Sequence, residues 1–82
     1  MPSFKIYPNP ASDFFFVEVE DESNLTFQYQ LTDINGNLIK SGYFNKNQNK
    51  FDLSQLSNSS YFLVILNREN GIKKSFQIQK AQ

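Results

Sequence analysis

Leu25-Thr26-Phe27-Gln28-Tyr29-Gln30-Leu31 alternates residue by residue between apolar and polar side chains. Leu25, Phe27, Tyr29 and Leu31 share one face, and Thr26, Gln28 and Gln30 share the other. A period of two is the side-chain spacing of a β-strand, so the stretch predicts a strand with one dry and one wet face. Asn35-Gly36-Asn37 follows it. Asn and Gly tolerate the positive φ that tight hairpin turns demand, so Leu38 to Phe44 is the predicted return strand. Within that strand Gly42 marks a bulge or a close backbone approach.

The same pattern extends in both directions. Upstream, Phe4 and Ile6 predict a short first strand. Phe14 to Glu20 predicts a second, with Phe15, Val17 and Val19 toward the core and Phe14, Phe16, Glu18 and Glu20 on the other face. Between them lies Tyr7-Pro8-Asn9-Pro10. Proline fixes its own φ and biases the residue before it toward extended conformations, so this segment is a stiff turn. Asp21 to Asn24 is a polar turn. Downstream, Asn45 to Asn49 reads as another, and Phe51 and Leu53 mark a short strand. Leu53-Ser54-Gln55-Leu56 reads as a single turn over the edge of the fold. Tyr61 to Leu66 is almost continuously apolar, as expected of a strand buried on both faces or lying at the centre of a sheet. Asn70-Gly71 predicts a second hairpin turn, and Ile72 to Lys80 a last strand with Phe76 and Ile78 on one face. Seven short strands spaced by about 8–12 residues predict an all-β, two-sheet antiparallel sandwich. We place the domain at residues 4–80, with 1–3 as linker and 81–82 as tail.

Composition bounds the chemistry. At 82 residues the chain is one small domain, and its nine Phe and four Tyr supply large buried areas. The eight basic and eight acidic residues balance, which argues against a general nucleic-acid binder. No run of about 18 apolar residues is present to span a membrane as a helix. Cysteine and histidine are both absent. That removes a thiol nucleophile, the commonest general base and the commonest metal ligand. The three glycines are isolated, so no phosphate-cradling loop exists. Glu18, Glu20, Asp21 and Glu22 cluster at a strand end and are candidate oxygen ligands for a hard cation. We read them instead as a solvated, charged strand end that discourages edge pairing. Asp13 and Asp33 stand at turns, where such side chains bond their own backbone. We therefore expect no enzyme, no cofactor and no metal.

The order of these pieces resembles a known family, the type A C-terminal sorting domain of the type IX secretion system of Bacteroidota. The family's opening turn is matched by Ile6-Tyr7-Pro8-Asn9-Pro10-Ala11. Its alternating strand is matched by Phe15, Val17 and Val19. A middle block is matched by Leu31-Thr32-Asp33-Ile34-Asn35-Gly36-Asn37-Leu38-Ile39. The Asp-Leu-x-x-Leu block and its Tyr are matched by Asp52, Leu53, Leu56 and Tyr61, and the closing turn and Lys-containing strand by Gly71 to Lys80. Two positions depart from the pattern: Ser59 stands where the family has Gly, and Ser57 where it often has Pro.

The resemblance implies an immunoglobulin-like antiparallel β-sandwich at the end of a larger cargo protein. It implies recognition by the outer-membrane translocon, export, removal by a sortase-like surface protease with the cut before Phe4, and cargo release or attachment to lipopolysaccharide. A signal peptide would then lie upstream in the cargo. As recognition residues we single out Lys73, Lys74, Phe76, Ile78 and Lys80 of the last strand and the turn Pro8, Asn9 and Pro10. Tyr7, Asp33, Gly36, Asp52, Leu53, Leu56, Tyr61 and Gly71 are read as structural. Expected partners are the translocon, the protease and the fused cargo, with no nucleic acid and no small-molecule substrate. A Phe-rich edge suggests a weak homodimer. The alternative is an accessory sandwich at the cell surface that binds carbohydrate or protein, with Tyr7, Tyr29, Tyr43 and Tyr61 as stacking faces.

Overall fold

Seven strands appear, the number the alternation predicts. A computed structural model of the chain describes residues 3–20, 26–45, 47–69 and 71–81. The strands are β1 (Ser3–Tyr7), β2 (Phe14–Glu20), β3 (Thr26–Thr32), β4 (Leu38–Asn45), β5 (Asn47–Asp52), β6 (Ser59–Asn67) and β7 (Ile72–Lys80). They form a three-stranded sheet in the order β1-β2-β5 and a four-stranded sheet in the order β4-β3-β6-β7. Every neighbouring pair is antiparallel. This is an immunoglobulin-like sandwich of three strands on four.

The core is the set of inward residues that the period of two selects. Phe15 and Val17 of β2, Phe27 and Leu31 of β3, Leu63 and Ile65 of β6 and Ile78 of β7 are all buried. Aromatic rings fill much of the volume: Phe15 stacks on Phe51 at 5.0 Å, and Tyr29 meets Phe51 edge-on at 4.8 Å. Gly42 serves as a close approach and not as a bulge. A Cβ there would lie 3.0 Å from atoms of the Tyr29 ring, so only a bare backbone leaves room for the tyrosine. The irregularity in the β3–β4 pairing falls at Leu31 and Thr32 instead.

One expectation is corrected and one alternative is decided. Asn45 to Asn49 is not a turn: Asn47, Gln48 and Asn49 belong to β5 and pair with Val19, Glu18 and Val17. Amide side chains are weak strand formers, but pairing to the long central strand β2 overrides that preference. In β6, Tyr61, Leu63 and Ile65 are buried, whereas Phe62 on the outer face is 38% exposed. The apolar run therefore marks a strand central in its sheet, flanked by β3 and β7, and not one buried on both faces. The expected turn at Asp21 to Asn24, and Asn70 of the second hairpin, lie outside the described residues; Gly71 takes the expected positive φ of 75°.

The topology divides the motifs between two poles. The Pro8–Pro10 turn, the Asp33–Asn37 turn, the loop after Asp52 and the end of β7 lie at one. The start of β1, the end of β2 and the β6–β7 hairpin lie at the other. The molecule measures 36 × 22 × 16 Å along its principal axes.

Candidate recognition surface

The turn and the last strand, singled out separately in the sequence, meet in space. Both X–Pro bonds of the turn, Tyr7–Pro8 and Asn9–Pro10, are cis. Asn9 points its amide across to the outer edge of β7. Its Nδ2 donates to the Gln77 carbonyl at 2.9 Å, and its Oδ1 accepts from the Gln79 N–H at 3.0 Å. A carboxamide carries the same donor and acceptor pair as a peptide unit, so Asn9 stands in for one residue of a neighbouring strand. The chain then continues the mimicry with backbone. Ala11 N–H donates to the Gln79 carbonyl at 2.7 Å, Ala81 N–H donates to the Ala11 carbonyl at 2.9 Å, and Ala11 forms a parallel bridge with Lys80.

Lys80, singled out for recognition, does not lie at the surface. It is only 3% exposed. Its Nζ donates to the carbonyl oxygens of Leu53 (2.8 Å) and Leu56 (2.5 Å). The alternation carried the signal: Lys80 continues the row of Phe76 and Ile78, which faces inward. The turn it holds is the expected one, closed by Leu56 N–H donating to the Leu53 carbonyl at 2.9 Å. Asp52 accepts from the Ser54 N–H at 2.8 Å, and the Ser54 side chain and N–H hold its carboxyl below the ordinary value of 3.8. Tyr61, buried in the core, donates its hydroxyl to the Ser57 carbonyl on the same loop. Ser59 begins β6 in an extended conformation, so glycine is not required there.

The remaining recognition candidates divide by exposure. Pro8, Asn9, Pro10, Lys73 and Lys74 are exposed. Phe76 is half-buried and packs edge-on to Phe4 at 6.2 Å. Ile78 is fully buried, so neither its side chain nor that of Lys80 is offered at the surface.

The structural motif residues behave as local braces. Asp33 Oδ1 accepts from the N–H groups of Asn35 and Asn37, both at 2.9 Å, and Gly36 in the same turn has φ 85°. The Asn37 backbone bond is the main cause of a carboxyl held below its ordinary 3.8. Tyr7 donates to Glu18 Oε2 at 2.8 Å and accepts from Gln48 Nε2 at 2.7 Å. Its ring leans on Phe16, which meets Phe14 edge-on, and Lys50 lies 4.7 Å from the Phe14 centroid. Phe14 and Phe16 therefore cover one another as half-buried rings on the outer face of the three-stranded sheet. One brace the sequence reading passed over is Asn67. It is buried, and its Nδ2 donates to the Thr26 carbonyl at 2.8 Å, tying the β6–β7 hairpin to β3. A polar residue ending an alternating inward row was the available signal.

Among the described residues, neither a sugar-stacking row of tyrosines nor a cluster of carboxylates is assembled. Tyr29 and Tyr61 are buried and Tyr43 is 73% exposed, so the tyrosines make no planar row for sugar stacking. Glu18 is engaged by Tyr7, Glu20 lies 3.7 Å from the Lys5 ammonium, and Asp21 and Glu22 lie outside the described residues.

A family model described as a secretion system C-terminal sorting domain matches residues 5–79. No curated protein matches the chain.

Proposed function

This chain belongs to the type IX secretion-system C-terminal sorting domain family, and from that premise we propose that it works as a non-catalytic docking signal read at its turn-and-strand pole. Such a tail is fused to a cargo protein and directs its export across the outer membrane to the surface or the medium. The carrying observation is the Asn9 bracket on β7, which joins the Pro8–Pro10 turn and the terminal strand into one rigid surface. A receptor that reads backbone edges and a few side chains needs this kind of fixed edge. Lys73, Lys74 and Phe76 supply side chains along it, while Ile78 and Lys80 hold its shape from within. After export, a sortase-like protease removes the domain upstream of Phe4, and the cargo is released or joined to lipopolysaccharide.

The test is a periplasm-directed fluorescent protein carrying residues 1–82, expressed in a host with a working type IX system and in a secretion-null sibling. Fluorescence at the surface or in the medium of the competent host alone is the expected result. Retention in the periplasm of both hosts, with the fusion folded and intact, would overturn the reading.

A further inference from the structure

Rim strands expose unpaired peptide groups, and the rims here are β1, β5, β4 and β7. β7 is closed along only half of its length. The outward groups at Gln77 and Gln79 are occupied by Asn9 and Ala11, and Ala81 completes the row. By the alternation of an antiparallel strand, the outward peptide groups of Ser75 and Lys73 continue that row. Among the described residues, no strand lies beside them. Lys73 and Lys74 flank this open stretch, both are exposed, and among the described residues neither has an ion-pair partner.

Resting on the sorting reading, we propose that the outer edge of β7 at Lys73–Ser75 accepts an extended acidic segment of another polypeptide as an added strand. Asn9 is the stop that sets its register. Charge selects the occupant. Antiparallel pairing of two copies about Lys74 sets Lys74 against Lys74, and like charges directly opposite are unfavourable. Lysine on an edge is also a known guard against self-pairing. An acidic strand meets the same two ammonium groups as counter-charges, and the open N–H and C=O groups supply its ladder.

The test titrates the isotope-labelled 82-residue chain with two capped peptides, Thr-Val-Glu-Glu-Val-Thr, whose adjacent Glu residues present one carboxylate to each face, and its counterpart with Lys for Glu, at low salt. The acidic peptide is expected to shift the amides of Lys73, Ser75 and Gln77 and to bind at least about threefold tighter than the basic one. The double variant Lys73→Glu/Lys74→Glu reverses that preference. Ser75→Pro removes an outward N–H, leaves the β6 ladder intact and abolishes binding with the folded spectrum retained. Shifts at another edge, binding blind to charge, or no shift at millimolar peptide would each overturn the proposal. So would a concentration-dependent dimer that Ser75→Pro dissolves, which would give the edge to a second copy. The export fusion separates this inference from its premise. Retention of the unmodified fusion sinks the sorting reading. Export of both the unmodified and the doubly reversed fusion leaves sorting in place and removes the acidic-strand edge.

Discussion

Asp33 is exposed, yet it organises a turn, because its carboxylate gathers the N–H groups of Asn35 and Asn37. Those bonds favour the charged form, so its folded-state value lies below the ordinary 3.8. The sign follows directly. The stabilisation is complete well above 3.8 and is lost as pH falls through that value toward the lower folded one. Asp33→Asn should therefore lower stability at neutral pH, change it little in strong acid, and so flatten the acid limb of stability against pH; urea midpoints from neutral into the acidic range would measure it. Asp52, lowered in the same direction by Ser54, keeps part of the slope in that variant. Gly42 is constrained by space and not by φ. Gly42→Ala drives a methyl to 3.0 Å from the Tyr29 ring, and overpacking of that kind costs about 1–3 kcal/mol, readable as a lowered denaturation midpoint.

Among the elements, β7 combines the strongest local contradictions. Its sequence ends in Lys80, which its period directs inward, and the fold satisfies that ammonium with two carbonyl oxygens of the Leu53–Leu56 turn. The resulting link joins β7 to the loop between β5 and β6. Lys80→Met keeps the apolar stem and strands both carbonyls, so a loss of about 1–3 kcal/mol is expected. Hydrogen exchange should quicken at Leu56 and Gln79 before it quickens at Leu63 in the core. Uniform acceleration across the domain would show that Lys80 contributes global packing and not a local clasp.

For the whole molecule, a small domain buries only about 60% of its unfolded surface, so individual core rings matter. Phe15, fully buried and stacked on Phe51, is such a ring. Phe15→Ala should cost about 3–5 kcal/mol, a large share of the stability of a domain this size, and thermal unfolding would register it as a steep fall in Tm. The two-pole layout adds a functional consequence. β1 starts at one pole, and the bracketed turn and the end of β7 lie at the other. A cargo joined ahead of β1 is thus held away from the bracketed turn and lies at the pole where β7 begins with its open Lys73–Ser75 stretch.

Strand number, the inward sets of β2, β3 and β7, the Asp33 turn and the family resemblance were legible from the chain alone. Each depends on spacing between near neighbours, which a strand's period of two or a turn's φ requirement dictates locally. The β5 assignment of Asn47 to Asn49 was not legible, because those amides extend only in response to β2. Nor was the union of Asn9 with Gln77 and Gln79, about seventy residues apart, or the burial of Lys80 beneath a distant turn. Such contacts have no sequence period. They form only when two sheets close on one another and leave particular donors facing particular acceptors, and that closure, driven by burial of the shared core, decides which edges of the molecule are sealed and which stay open.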